Sequence, residues 1–252
     1  MATQTYIRKP SVQSLFIEMN FNGIKLSSGT AFVVDTAKGP HLITNRHNVT
    51  GRDQNTGQPL SSTAGIPNQM TILHNASTGL GFWQSVVEPL FKPDGSPCWV
   101  EHPTLGARAD FVALPLAQTA EITLIPHLLT HTGPDFIVGP AEIVSVIGFP
   151  FGMAAGGVFA VWATGFVASE PDVDINGLPV MYIDCRSRQG QSGSPVLAYR
   201  SGGTAHMRDG STAMIAGEFS RFIGIYSGRI NKDSDIGIIW KTSAIAELVA
   251  AL

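Results

Sequence analysis

An all-β chain, folded as antiparallel barrels or a sandwich, is predicted by three features of the sequence. Short apolar runs bounded by Gly, Pro, Asn or Asp recur from Ser14 to Trp240, and such runs read as strands. No helical segments alternate with them, which argues against a parallel sheet. The chain is also rich in turn residues, with 27 Gly and 16 Pro in 252 residues, and only 14% of it is charged. Many short strands joined by turn clusters bury their apolar faces best against one another.

The strand candidates run in order as SLFIEMNF, GTAFVV, HLITN, QMTILH, CWVEH and DFVALPL, then EIVSVIGF, GVFAVWATGFVAS, PVMYIDC, SPVLAY, AMIAGEF, RFIGIYSG and DIGIIW. Most are rich in β-branched or aromatic residues, which fit a pleated surface. Between the two groups, residues 119–134 within QTAEITLIPHLLTHTGP read as a connector, dividing a single domain into halves 12–118 and 135–241. Residues 242–252 close the chain as its one convincing helix. In TSAIAELVAAL, Thr242 or Ser243 supplies the N-cap, Glu247 stands in the early turns and strong helix formers follow.

Several function classes drop out early. A formal net charge of −3 leaves no basic footprint for nucleic acid, and no window approaches the roughly 20 apolar residues of a membrane span. MATQTYIRKPSVQSLFIEM lacks a basic start, an unbroken apolar stretch and a small-residue cleavage site, so a cytoplasmic protein is expected. Cys98 and Cys185 cannot make a disulfide framework, and two buried free thiols are expected. His127 and His131 have the spacing of metal ligands on a helical face. Without a HExxH glutamate or a cysteine neighbour, and with Pro126 beside them, they read as structural or solvent-facing. Neither a metal nor a cofactor is expected.

The segment RQGQSGSPV carries the chemistry. Gly190 and Gly193 bracket Ser192, letting the backbone turn sharply and approach another molecule closely. A serine on such a bend is a turn residue or a nucleophile, and the bend alone does not decide between them. A nucleophile needs a base. His47 closes the run HLITNRH where the chain leaves a strand, whereas His41, His74, His102 and His206 sit in settings that explain nothing in particular. The imidazole in turn needs a carboxylate to fix its tautomer and stabilise its cation. Asp110 enters an apolar strand at once in ARADFVALPL, while Asp53 and Asp94 lie in Gly-rich polar loops and look solvated. Asp135 opens a strand beyond the connector.

The order His47, Asp110, Ser192, set in TNRHNV, ADFVAL and GQSGSPV, resembles the chymotrypsin-like (trypsin-fold) serine peptidases, particularly bacterial members of the HtrA and glutamyl-endopeptidase type. SGTAFVVD, VIGFPFG, ATGFVAS, YIDCRSRQGQSGSPV with Asp184 ahead of the serine, IGIYSG and DIGIIW extend the likeness from about residue 12 to the C-terminus. It implies two antiparallel six-stranded barrels with a C-terminal helix. It also implies a serine endopeptidase working through a His47–Asp110–Ser192 triad, with the N–H groups of Gly190 and Ser192 as an oxyanion hole and a protein or peptide as substrate. A plain turn glycine at 190 fits the same geometry. The primary specificity pocket would be walled by residues 186–189 and 227–229, placing Arg186, Gln189, Ser227, Gly228 and Arg229 around the substrate. A buried Arg186 there would favour an acidic side chain; an Arg186 that pairs with Asp184 or faces solvent would not. Ser227 is expected to hydrogen-bond Asp110, and the strand around Arg229 to pair with substrate backbone.

Gln191 departs from zymogen-activated relatives, which carry an aspartate before the nucleophile to pair with a newly cleaved N-terminus. A neutral amide cannot make that ion pair, so competence without N-terminal cleavage is expected. An α/β-hydrolase esterase is excluded because Ser194 stands where GxSxG needs its second glycine, and only His206 follows the serine. The remaining rival is a trypsin-fold binding or regulatory protein whose occluded site a partner opens. GRDQNTGQPLSSTAGIPNQ, residues 51–69, reads as a surface loop rather than a lid.

Overall fold

Burial of apolar residues on both faces of its central strands fixes the first sheet. In the computed structural model, which describes residues 6–130, 133 and 135–252, a one-turn helix α1 (Pro10–Gln13) leads into β1 (Ser14–Phe21), β2 (Ile24–Thr36) and β3 (Gly39–Thr44). A short helix α2 (Arg46–Thr50) follows, then β4 (Gln69–Ala76), β5 (Trp83–Pro89), β6 (Val100–Glu101), β7 (Val112–Pro115) and β8 (Ile122–Thr123). The sheet runs β5-β4-β1-β2-β3-β7-β6 with β8 added to β4, antiparallel throughout. Setting aside β6 and β8, each two residues long, six strands remain. Ile17, Val33, Leu42, Met70, Ile72 and Leu114 fill its interior.

The second half closes on itself. Its strands are β9 (Ile143–Gly148), β10 (Val161–Val167), β11 (Val180–Asp184), β12 (Pro195–Arg200), the hairpin β13 (Gly203–His206) and β14 (Thr212–Ile215), β15 (Phe219–Arg229) and β16 (Ile236–Lys241). A 3₁₀ turn at Pro150–Gly152 follows β9. Six of these strands form a closed barrel, β10-β11-β16-β15-β12-β9, around Val144, Val146, Met181, Ile183, Val196 and Ile239. Closure removes the unpaired edges that an open sheet would expose.

A third apolar cluster joins the halves. Phe32, Ile43 and Phe111 from the first meet Ile225 and Trp240 from the second, and the helix α3 (Thr242–Ala250) packs Ile245 and Leu248 onto them. Each such side chain contributes on the order of 1.5–3 kcal/mol on burial. The N-terminal segment adds polar ties to the second barrel: Ser14 Oγ donates to the Ile147 carbonyl at 2.7 Å, and Trp162 Nε1 to Ser11 Oγ at 2.8 Å.

Some local expectations change. The helix α3 begins directly after β16 with Lys241 at the N-cap, so neither Thr242 nor Ser243 caps it. Thr242 Oγ1 instead donates to the Phe222 carbonyl on β15. The run AMIAGEF is divided between β14 and the start of β15. Strand β5, absent from the apolar runs, carries Glu88 facing inward, where it accepts the N–H groups of Ala117 and Gln118 at 3.1 and 3.2 Å. Cys98 and Cys185 are both free thiols in separate clusters. His127 lies buried between Phe32 and Phe222, and burial pulls its pKa down to about 3; His131 lies outside the described residues. Among the described residues no helix is long and apolar enough to cross a membrane.

Because Leu248 is fully buried in the cluster that joins the halves, Leu248→Ala is expected to lower the unfolding free energy by about 2–5 kcal/mol. Denaturant unfolding of the variant beside the parent measures it, and a loss under about 1 kcal/mol would mean that α3 contributes little to joining them.

Candidate active site

Strand β3 carries the chain to Asn45, and a single helical turn, α2, then presents His47. Gly51 ends that turn in the left-handed region (φ 64°), its N–H bonded to the His47 carbonyl. Opposite stands Asp110, 2% exposed, at the entry to β7. Its Oδ1 accepts the His47 backbone N–H at 3.0 Å, and its Oδ2 lies 2.7 Å from His47 Nδ1. Ser227, on β15 of the other half, donates its hydroxyl to the same Oδ2. Asn45 Nδ2 bonds the Asp110 carbonyl at 2.6 Å, holding the backbone of that residue as well. With Nδ1 engaged by the carboxylate, Nε2 is the nitrogen left for other work.

The charge of His47 follows from these contacts. Burial lowers its pKa, but the Asp110 charge and hydrogen bond, helped by the more distant Asp53, outweigh burial and hold it above the ordinary imidazole value. Asp53 is half-exposed, as its polar loop suggests, but it is held by its own loop. The Thr56 backbone N–H, with further bonds from Thr56 Oγ1 and the Asn55 N–H, holds its carboxyl below the usual range, and it lines the same cleft as His47.

Ser192 is held by bonds that the motif does not show. Thr30, fully buried on β2, donates its N–H to the Ser192 carbonyl at 2.9 Å and its hydroxyl to the Gly190 carbonyl at 2.9 Å. The same hydroxyl accepts the Phe149 N–H at 3.1 Å, and Thr44 Oγ1 donates to the Thr30 carbonyl at 2.8 Å. Gly193 adopts φ 88° with its α-carbon against the Thr30 carbonyl, where any Cβ would collide. Its N–H reaches the Tyr226 carbonyl at 2.9 Å, and the Tyr226 N–H reaches the Ser194 carbonyl at 2.9 Å, so β15 runs alongside the serine loop.

Gly190 has φ 93° and packs against the turn at 149–152, where the Phe151 N–H bonds the Gln189 carbonyl at 2.6 Å. Among the described residues, the N–H groups of Gly190 and Ser192 donate to no protein acceptor. Gln191 is fully buried, and its Oε1 accepts the Arg188 N–H at 2.7 Å, bracing the loop from within.

His47, Asp110 and Ser192 border one cleft of about 770 Å³. No hydrogen bond joins the Ser192 hydroxyl to His47 among the described residues. Ser227, Gly228 and Arg229 line the cleft, as do Ile175, Leu178 and Trp240 on an apolar wall. Residues 53–55 and Leu60 line it too, so part of the 51–69 segment is a wall of the cleft rather than remote surface. Arg186 and Gln189 are exposed and line no part of it. Arg186 lies beyond the end of β11, at the middle of a three-residue turn in which the Ser187 N–H bonds the Cys185 carbonyl at 2.6 Å; Cys185 and Ser187 are buried and Arg186 projects outward. The acidic-side-chain preference that rested on a buried Arg186 therefore loses its basis. Among the described residues no group of three or more His, Cys, Asp or Glu could hold a metal ion.

No family model matches the chain, and no curated protein matches it in sequence. Solved structures do. Rv3671c from M. tuberculosis H37Rv, a serine-to-alanine mutant in its inactive form, is 17% identical with a TM-score of 0.52, over 96% of this chain and 86% of that one. The serine endoprotease from Yersinia pestis is 13% identical with a TM-score of 0.53, over 98% of this chain and 67% of that one. The likeness shows the fold alone: over nearly its whole length this chain, with its antiparallel first sheet and closed six-stranded barrel, shares the architecture of these solved proteases.

In an NMR titration, the His47 imidazole is expected to lose its proton above the ordinary value of about 6.5, and Asp110→Asn to move that midpoint down, since burial then acts without an opposing charge. A midpoint unchanged by the substitution would show that the carboxylate does not govern the imidazole.

Proposed function

We propose that the protein is a serine endopeptidase in which Ser192 is the nucleophile, His47 the general base and acid, and Asp110 the group that orients and stabilises the imidazolium. The observation that carries this reading is the buried Asp110 carboxylate bonded to His47 Nδ1, on the cleft that also holds Ser192. Nε2 takes the Ser192 proton as Oγ attacks the scissile carbonyl, and later delivers it to the leaving amine. Water then attacks the acyl-enzyme by the same route in reverse. The free N–H groups of Gly190 and Ser192 receive the developing oxyanion. Each such preorganised donor lowers the barrier by on the order of 3 kcal/mol.

Readiness without N-terminal cleavage is part of the proposal. The Gln191 side chain takes its brace from Arg188, within its own loop, so no new N-terminus is needed to order it. The substrate is a protein or peptide whose backbone pairs with β15 near Arg229, its upstream side chains resting on the wall formed by Ile175, Leu178 and Trp240. One observation favours a second reading, a site that a partner completes: the Ser192 hydroxyl and His47 are not hydrogen-bonded among the described residues. Substrate can bring about the same tightening, because catalytic hydrogen bonds often form fully only in the Michaelis complex.

The intact, untrimmed protein is expected to react stoichiometrically with a small fluorophosphonate, and Ser192→Ala to abolish that labelling and lower kcat/KM by roughly 10⁶-fold. Folded wild type that takes up no label would favour the partner-completed site. In active protein, kcat/KM is expected to fall as pH drops through the raised His47 pKa, because only the neutral imidazole accepts the serine proton. A rate independent of pH across that range would exclude His47 as base.

A further inference from the structure

An acyl group whose carbonyl oxygen rests on the N–H groups of Gly190 and Ser192 lies over the seam between residues 187–190 and the end of β15. On the proposed peptidase reading, the space that seam leaves is where the scissile residue's side chain would go. Tyr226 occupies it. The Tyr226 ring is 2% exposed, and its hydroxyl is bonded to that of Ser187, itself fully buried on the facing segment. On the third side stands Gly237 of β16, so close that a Cβ there would lie 2.6 Å from Cε2 of the ring. The missing side chain at 237 is what admits the tyrosine. The cleft beside Ser192 touches residues 227–229 but none of residues 185–190, Tyr226 or Gly237. Burial also pushes the phenol pKa up to about 12, so at neutral pH the ring stays uncharged in its slot.

Resting on the proposed peptidase reading, we infer that Tyr226 fills the primary side-chain pocket and restricts cleavage to bonds whose acyl residue is small: glycine, alanine or serine. The ring is wedged between three backbone segments of the closed barrel, and its hydroxyl is satisfied inside it. Displacing it would leave Ser187 unpaired in a buried position, which opposes entry of a large side chain. Affinity then comes from upstream residues, which reach the apolar wall at Ile175, Leu178 and Trp240.

The test uses peptidyl diphenylphosphonates that are identical except for the substituent next to phosphorus: methyl, benzyl, carboxyethyl or guanidinopropyl. The second-order rate of Ser192 modification is read by intact mass for wild type, Tyr226→Phe and Tyr226→Val. A small fluorophosphonate without a peptide serves as the control. Wild type is expected to react with the methyl compound roughly 10- to 100-fold faster than with the others. Tyr226→Phe should keep that order, because it keeps the ring. Tyr226→Val should raise the benzyl rate by at least about tenfold. Wild type that takes the fluorophosphonate but reacts best with a benzyl, carboxyethyl or guanidinopropyl compound overturns this inference alone. A folded Tyr226→Val protein with the wild-type order overturns it too, and if that variant does not fold, the wild-type and Tyr226→Phe orders decide. Folded wild type that takes neither probe overturns the peptidase reading and this inference with it.

Discussion

A carboxylate taken out of water is tolerated only when hydrogen bonds replace its hydration, and Asp110 imposes that demand at the centre of this molecule. Its two oxygens accept from the His47 backbone, the His47 ring and the Ser227 hydroxyl. The first two donors come from the half that carries Asp110, the third from the other. Satisfying one buried charge therefore sets the orientation of the imidazole and the approach of the two halves at one point. The cleft opens there because both halves must contribute to it.

Thr30 answers the same requirement on the serine's side. Its backbone and hydroxyl reach Ser192, Gly190 and Phe149 in the second half, while Thr44 bonds its carbonyl from the first. The serine loop is thus held by a strand of the opposite barrel as well as by its own turn. The Gly190 and Ser192 carbonyls are fixed by Thr30, while their N–H groups meet no protein acceptor among the described residues. A loop mounted on two rigid sheets keeps such a geometry without reorganising.

Much of the fold was readable from local pattern. SLFIEMNF coincides with β1 because it is an apolar run that can be buried on both faces, Leu15, Ile17 and Met19 in one cluster and Phe16 in another, and TSAIAELVA became α3 because good helix formers follow a strand end. β5 was not readable, since Trp83–Pro89 alternates exposed polar positions with a buried Glu88 whose partners, the N–H groups of Ala117 and Gln118, lie far along the chain. The N-cap failed for a related reason: the Thr242 hydroxyl donates to the Phe222 carbonyl on β15 instead of accepting an N–H of its own helix.

In the candidate site, residue type and placement singled out His47, Asp110 and Ser192, because a nucleophile, a base and a shielded carboxylate each leave a local trace in glycine spacing and strand entry. The surroundings left no such trace. Asp53 looks solvated in its loop and is brought within electrostatic reach of His47 by the course of the 51–69 segment. Arg186 looks like a pocket floor by position, yet the turn closed by the Ser187 N–H on the Cys185 carbonyl leaves it exposed and Ser187 buried. Tyr226 reads as one more aromatic in a strand until Gly237 and Ser187 close around it. The sequence by itself determined the all-β class, most of the strands, the closing helix and which residues carry chemically able side chains, since these depend on periodicity and residue type. The tertiary structure alone decided which of those side chains meet, because contact between the halves depends on distances that no local pattern encodes.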